Sequence, residues 1–251
     1  MLCPESLFMN KSITPKNILV IGGGTGMGRA IALQLCEEGN RVAIAGRREG
    51  KLTEVAETSL DNIKVNPVDV TDRVSVANLF LWFDQNIGKL DVLINAAGVN
   101  TANRTIQDLD PSEWDKLIQI NLTGAYNCMR EALKKMRPTQ SGLIISINSV
   151  AGKRAIPLAG VAYNASKFGM SALGISVGEE ERENGIRITN IYPGEVNTPI
   201  LDERLNPPTP EHRESILQPS DMADVVSTVV KLPARAHVPE LVIKPSRQSF
   251  V

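Results

Sequence analysis

A glycine-rich turn between a predicted strand and a predicted helix is the feature that most constrains this sequence. Residues 17–21 form a short apolar run of strand type, and the glycines of residues 22–28 follow it directly. Apolar side chains then recur at helical spacing as far as Cys36, and Gly39 ends the pattern. Such a turn lets a pyrophosphate approach the backbone amides, and the helix N-terminus favours its negative charge. The context predicts a dinucleotide-binding fold, with a plain tight turn as the alternative.

Strand-type and helix-type patterns alternate along the rest of the sequence. Helical patterns include a long one at residues 110–136 and another at 163–183. The order predicts a Rossmann-type α/β fold: a doubly wound parallel sheet of about seven strands in a three-layer α/β/α sandwich. Residues 17–251 are predicted to be a single domain, and residues 1–16 a flexible N-terminal arm. Apolar runs typical of the later strands come at residues 41–45, 63–67, 92–94, 143–147, 187–192 and 241–243.

Composition argues against several classes of partner. The formal net charge of the 251 residues is −1, so no general attraction to nucleic acid or to an anionic membrane is expected. The three cysteines are widely spaced and odd in number, which indicates neither a disulfide framework nor a metal site. No apolar stretch reaches membrane-spanning length and no signal peptide is evident, so we expect a cytoplasmic protein without a membrane partner.

The end of the second predicted strand indicates which dinucleotide is bound. An acidic residue there would accept a hydrogen bond from the ribose 2′-hydroxyl of NAD(H). This sequence instead has Arg47 and Arg48, whose guanidinium groups can pair with a 2′-phosphate. The pattern favours NADP(H) over NAD(H), the alternative being two solvated arginines at a helix start. Asp69, after the third strand, is predicted to contact the adenine.

Tyr163 and Lys167 are the residues that first suggest chemistry. Four residues apart on a predicted helix, they lie on one face, one turn from each other. A nearby positive charge favours the phenolate, and a phenol tuned in this way can give a proton to a carbonyl or take one from an alcohol. Such pairs also arise by chance on any helix, so the pair needs the rest of the chain to support it.

The ordered set of segments resembles the short-chain dehydrogenase/reductase family, in its single-domain NADP(H)-type branch. The glycines at 22–28 resemble the family's cofactor turn, with Ile21 in place of its threonine. The segment Asn95-Ala96-Ala97-Gly98 matches its N-A-A-G, and residues 193–198 match the segment that closes over the nicotinamide. The resemblance covers almost the whole chain beyond the N-terminal arm. It implies hydride transfer between a nicotinamide and a small alcohol or carbonyl compound.

The resemblance also implies roles for four side chains. Tyr163 would supply or remove the proton of the substrate oxygen, and Ser149 would hydrogen-bond that oxygen. Lys167 would bind the nicotinamide ribose and, helped by the charge of the oxidised nicotinamide, lower the tyrosine pKa. Asn121, which falls in the middle of a predicted helix, would hold a water that links Lys167 to solvent. The cofactor contacts it implies are Gly22, Gly24, Thr25, Gly26, Met27, Gly28, Arg47, Arg48, Asp69, Val70, Asn95, Ala96, Ala97, Gly98, Tyr163, Lys167, Pro193, Gly194, Val196 and Thr198.

The substrate side is less constrained. Arg154 and Arg204 are candidates to pair with a substrate carboxylate, the alternative being solvated loop charges. The segment 239–246 departs from the family's frequent V-D-G-G and resembles a branch that includes broad-range 3-hydroxy acid and serine dehydrogenases. By the same resemblance the long helices are expected to build a homotetramer or homodimer. A non-catalytic NADP(H)-binding regulator and a different family chemistry, such as dehydration or epimerisation, remain alternatives.

Overall fold

The computed structural model describes residues 15–59 and 63–249, so most of the predicted N-terminal arm lies outside the described residues. Within those residues the strands form one seven-stranded sheet in the order β3-β2-β1-β4-β5-β6-β7, and every neighbouring pair is parallel. The predicted doubly wound parallel sheet is therefore confirmed. The strands are β1 (Asn17–Ile21), β2 (Arg41–Gly46), β3 (Lys64–Pro67), β4 (Val92–Asn95), β5 (Gly142–Ile147), β6 (Ile186–Pro193) and β7 (Glu240–Ile243).

Helices cover both faces of this sheet. Alternate side chains of β1 point to opposite faces, so Ile18 and Val20 join one core while Leu19 and Ile21 join another. Burial on both faces explains why the strands are almost continuously apolar. The helices are α1 (Gly26–Glu37), α2 (Glu49–Thr58), α3 (Arg73–Asn86), α4 (Pro111–Ile118), α5 (Gly124–Met136), α6 (Val161–Glu180), α7 (Pro210–Ser215) and α8 (Pro219–Lys231).

Local sequence signals set where several of these helices begin. Asp72 caps α3 by accepting a hydrogen bond from the Val74 amide at 2.8 Å. Asp110 does the same for α4 through the Ser112 amide at 2.8 Å, with Pro111 in the first turn. In both cases the carboxylate satisfies an amide that has no partner within the helix.

The long helix predicted at 110–136 is present, with one π-helical turn inside it. A π-helical turn, Gln119–Thr123, separates α4 from α5 and contains Asn121. The structure explains why an asparagine occurs in the middle of a helix. Asn121 is fully buried, and its side-chain amide bonds to groups outside the helix. Single π-turns of this kind are frequent at functional sites.

The carboxyl ends of the parallel strands meet at one edge of the sheet. β1, β2, β4, β5 and β6 lead there into residues 22–28, 46–48, 95–98, 148–152 and 193–198, respectively. The proline-rich segment between 199 and 219 follows, with a short 3-10 helix at Pro199–Glu203 and α7 inside it. In open α/β sheets, ligands bind outside this edge.

Candidate active site

The turn after β1 accepts only glycine at several positions. Gly22 has φ +80°, and a Cβ added to it would lie 2.7 Å from the Ala97 nitrogen. A Cβ on Gly28 would lie 2.2 Å from the Gly22 carbonyl oxygen. The first turn of α1 carries no acidic residue, and its N-cap, Thr25, makes no side-chain capping bond. The backbone amides at the start of α1 can therefore bind an anion such as a pyrophosphate.

A cavity of about 320 Å³ lies beside this turn. Arg47 and Arg48 line its wall, and Arg48 Nη2 donates to Thr25 Oγ1 at 3.3 Å. A glycine cradle next to two arginines fits a dinucleotide with a 2′-phosphate. The predicted cofactor residues that line this cavity are Gly22, Gly24, Thr25, Gly26, Met27, Gly28, Arg47, Arg48, Val70, Ala96, Ala97, Gly98 and Thr198.

Seven predicted cofactor contacts do not line that cavity, namely Asp69, Asn95, Tyr163, Lys167, Pro193, Gly194 and Val196. The Asp69 carboxylate accepts bonds from the Thr71 amide at 2.9 Å and from Thr71 Oγ1 at 2.7 Å. Those bonds, and more weakly the charge of Arg47, lower the pKa of Asp69. Asn95 is buried within β4, between Ile21 and Ser146 of the neighbouring strands. The residue next to Asp69, Val70, supplies the cavity wall instead.

Ser149 and Tyr163 line a second, smaller cavity of about 170 Å³. The Ser149 hydroxyl accepts a bond from the Ala151 amide at 3.1 Å and lies beside the Tyr163 phenol. Burial raises the pKa of Tyr163, while the Ser149 hydroxyl and the charge of Arg104 act in the opposite direction. The net shift is opposite to the predicted lowering, because the desolvation of a buried phenolate outweighs these two groups.

Lys167 lies deeper than the tyrosine. Its side chain is only 3% exposed, and Nζ lies 5.6 Å from the centre of the Tyr163 ring. Nζ donates to the Ile147 carbonyl at the end of β5 at 3.1 Å. Burial lowers the pKa of Lys167 to about 8, so the ammonium is still the main form at neutral pH.

The Asn121 side chain ties the π-turn to the strand end that carries Gly98. Its Oδ1 accepts from the Val99 amide at 2.9 Å, and its Nδ2 donates to the Val99 carbonyl at 3.0 Å and to Ser166 Oγ at 3.1 Å. A Cβ added to Gly98 would lie 3.7 Å from both Asn121 Oδ1 and Lys167 Nζ. The four predicted catalytic residues therefore come from three elements and meet at one place.

The predicted segment after β6 borders the second cavity. Pro193, Gly194 and Val196 line it, and Thr198 lines both cavities. Thr198 also packs against the cofactor turn, since a Cβ on Gly26 would lie 3.2 Å from its methyl group.

The two predicted substrate arginines have different positions. Arg204 lines the second cavity, where Nη1 donates to Glu195 Oε1 at 2.6 Å. Arg154 lines neither the first nor the second cavity.

Sequence reasoning missed part of the second cavity. Its wall includes Arg104 and Asn100 from the loop after β4, apolar side chains such as Ile156 and Leu158, and Gln248 from the C-terminal segment. One signal for Arg104 was available, because it follows the carboxyl end of a strand by only a few residues, where ligands bind. No comparable signal marked Gln248.

Two absences apply to the part of the chain that the structure describes. No cluster of three or more metal-ligating side chains occurs there. No helix in the same residues is long and apolar enough to cross a membrane.

Comparisons with known proteins agree with this geometry. An oxidoreductase of Staphylococcus aureus (strain MW2) named as uncharacterized is 34% identical over 234 residues, 93% of this chain and 98% of that protein. The structure titled the closed form of serine dehydrogenase complexed with NADP+ superposes with a TM-score of 0.85 at 26% identity, covering 92% of this chain and 96% of that one. An alcohol dehydrogenase from Thermococcus sibiricus complexed with 5-hydroxy-NADP gives 0.83 at 26% identity, covering 93% and 98%.

The match to a protein family settles the classification. The family described as short chain dehydrogenase matches residues 16–208, most of the chain. The same residues contain the glycine turn of the first cavity, the serine and tyrosine of the second, and the buried asparagine and lysine next to Gly98. The chain belongs to the short-chain dehydrogenase family of oxidoreductases.

Proposed function

We propose that this protein transfers a hydride between NADP(H) and a small alcohol or carbonyl compound, with Tyr163 as the acid and base. The observation that carries the proposal is that Ser149 and Tyr163 line a cavity next to the glycine-cradled one, with Lys167 Nζ 5.6 Å from the centre of the Tyr163 ring. A substrate cavity of about 170 Å³ favours a compact substrate, since it is smaller than the pockets that take drug-sized ligands.

The choice of NADP(H) over NAD(H) has its support at the end of β2. Arg47 and Arg48 line the cofactor cavity where an acidic residue would repel a 2′-phosphate. Arg48 is already oriented by its bond to Thr25, which lowers the entropic cost of binding a phosphate. The serine dehydrogenase and alcohol dehydrogenase structures that this fold resembles are complexes with NADP+ and with 5-hydroxy-NADP.

The chain's own part in the reaction is to orient the substrate oxygen and move its proton. NADP(H), when bound, would supply or accept the hydride. Ser149 would donate a hydrogen bond to the carbonyl oxygen, and Tyr163 would protonate that oxygen as the alcohol forms. Burial raises the pKa of Tyr163 and therefore favours the neutral phenol, the form that donates a proton in carbonyl reduction. Lys167 would bind the nicotinamide ribose, with Asn121 holding a water beside it.

The test measures turnover by the wild-type protein and by two Tyr→Phe variants, one at the proposed catalytic position and one as a control. Purified protein is incubated with NADPH and a panel of small ketones and aldehydes while the NADPH absorbance is followed. Tyr163→Phe is expected to lose at least about 100-fold in kcat, the usual contribution of general acid catalysis, and to keep its NADPH affinity. The control is Tyr126→Phe, on the exposed side of α5. No turnover of any compound by a wild-type protein that binds NADPH would refute the proposal, as would a fully active Tyr163→Phe.

Assembly and location extend the same proposal. We expect a homotetramer or homodimer of this single domain in the cytoplasm. Large apolar side chains exposed on α6, namely Phe168 and Ile175, support contact between copies. Light scattering of the purified protein measures the mass directly, and a monomer at micromolar concentration would contradict the expectation.

A further inference from the structure

Arg104 is a positive charge held firmly in the wall of the substrate cavity. Its Nε donates to the Thr101 carbonyl at 2.7 Å, and its Nη1 donates to the Leu158 carbonyl at 2.8 Å. The aliphatic stem packs against Gly160, where an added Cβ would lie 2.6 Å from the Arg104 Cβ. Gly160 has φ +87° and precedes α6, the helix that carries Tyr163. The guanidinium is thus positioned relative to the catalytic tyrosine by backbone groups on both sides.

No carboxylate among the described residues forms an ion pair with Arg104, and Glu203 attracts its charge only weakly. Glu195 also lines the cavity, but its two oxygens are engaged by Arg204 at 2.6 Å and by His212 at 2.7 Å. Among the described residues, Arg104 forms no ion pair with a carboxylate; its bonds are to neutral carbonyls. Burial and repulsion from Arg204 lower the pKa of Arg104, while attraction to Tyr163 and, least of all, to Glu203 acts in the opposite direction. A half-buried cation without a partner is costly unless a ligand supplies the negative charge.

The N–H groups of Arg104 and the apolar walls of the cavity indicate the chemical class of the ligand. Nη2 of Arg104 donates to no acceptor among the described residues. A guanidinium edge with free N–H groups matches the two oxygens of a carboxylate. Ile156, Leu158 and Ala159 supply an apolar wall beside it, and the volume of about 170 Å³ favours a small ligand.

We propose that Arg104 binds the carboxylate of the substrate, so that the enzyme acts on small oxo acids and the corresponding hydroxy acids. Arg204, occupied by Glu195, shapes the cavity and does not serve as this anchor. The inference rests on the proposed function, because it assumes that the carbonyl carbon lies beside Tyr163 while the carboxylate lies at Arg104. It makes Arg104 a residue that determines substrate specificity.

The experiment compares acids with their isosteric amides. Initial rates with NADPH are measured for 2-, 3- and 4-oxo acids and for the primary amide of each. Arg104→Met removes the charge and keeps an unbranched stem over Gly160, while Arg104→Lys keeps the charge without the planar fork. Arg130→Met, on the exposed side of α5, is the control for the change in net charge.

Wild type is expected to prefer at least one acid over its amide. Arg104→Met should lower kcat/KM for that acid by about 10- to 100-fold, the loss expected for a hydrogen bond to a charged group, and leave the amide nearly unchanged. Arg104→Lys should recover part of the preference, and Arg130→Met should behave as wild type. An equal loss for acid and amide would overturn the proposal, because it would show that Arg104 only holds the loop in place. No acid preference in the wild-type protein would overturn it as well.

A binding measurement separates this inference from the proposed function. The same acid and amide are titrated by calorimetry into NADP+-loaded protein, where no hydride transfer takes place. Acid binding that depends on Arg104, in a protein that turns over no carbonyl compound, would support the anion site and refute the proposed reaction. Turnover of neutral carbonyls, with acid and amide bound equally, would refute the anion site and support the reaction.

Discussion

Replacing Lys167 by methionine should make the protein more stable at neutral pH while it removes a group that we propose takes part in catalysis. Lys167 is almost fully buried, and burial holds its pKa at about 8, against an ordinary value of 10.5. Keeping the ammonium inside the fold below pH 8 therefore costs about 3 kcal/mol. Methionine has a similar unbranched shape and no charge to desolvate. It loses the bond to the Ile147 carbonyl, worth about 1 kcal/mol.

The expected net gain at pH 7 is about 2 kcal/mol, or about 4–8 °C in Tm for a chain of this size. The gain depends on pH with a defined sign. Between pH 8 and 10.5 the unfolded chain binds a proton at Lys167 that the folded chain has lost, so wild-type stability rises with pH in this window. At pH 9.5 the remaining penalty is about 1.4 kcal/mol, close to the value of the lost hydrogen bond. The advantage of the variant should therefore nearly disappear there.

The assay is thermal unfolding, followed by circular dichroism, of both proteins at pH 7 and 9.5 without added cofactor. Lys116→Met is the matched control, because Lys116 is an exposed lysine of α4 and its loss should change stability by less than about 0.5 kcal/mol. A Lys167→Met protein less stable than wild type at pH 7 would refute the reasoning. A Tm difference that is the same at both pH values would refute it too.

Three further predictions concern the cofactor cavity and the fold. Gly28→Ala should abolish NADPH binding in a fluorescence titration, because the new Cβ would lie 2.2 Å from a backbone oxygen of the cofactor turn. Gly50→Ala has open space around it and should bind normally; equal binding by both variants would contradict the account of the turn. Arg48→Glu should raise the Kd for NADPH by about 10- to 100-fold and leave that for NADH nearly unchanged, so an unaltered ratio of the two would count against recognition of the 2′-phosphate. Arg137→Ala should lower the free energy of unfolding in urea by about 2 kcal/mol, because it leaves the Glu181 carboxylate without its cation, and Glu181 is only 1% exposed. The loss is smaller than for a fully buried ion pair, because Arg137 itself is exposed. A change below about 0.5 kcal/mol would contradict that account.

Local signals made much of the architecture predictable from the sequence. The apolar runs that became β1 and β5 could be recognised because strands buried on both faces are apolar along their length. Gly22 and Gly28 identified the cofactor turn because no other residue fits the close approach of its backbone. Asp72 and Asp110 marked helix starts because capping involves residues only a few positions apart.

The chemistry of the site depends on contacts that the sequence does not reveal. Asn121 bonds to Val99, 22 residues away, and the π-turn that presents it has no local signature. Arg104 is a candidate to bind the substrate carboxylate because of two tertiary contacts. The Leu158 carbonyl, 54 residues away, holds its guanidinium, and the Glu195 carboxylate in the same cavity is already paired with Arg204.

The pKa values of Tyr163 and Lys167 show most clearly what the sequence predicts and what depends on the tertiary structure. The spacing of Tyr163 and Lys167 was sufficient to place them on one helix face, because that depends only on the helical repeat. The spacing alone predicted a lowered tyrosine pKa, whereas burial raises the pKa of Tyr163 and lowers that of Lys167. Desolvation is set by everything that packs around a group, so the sequence placed these two side chains on one helix face, and the tertiary structure decided the direction in which each pKa moves.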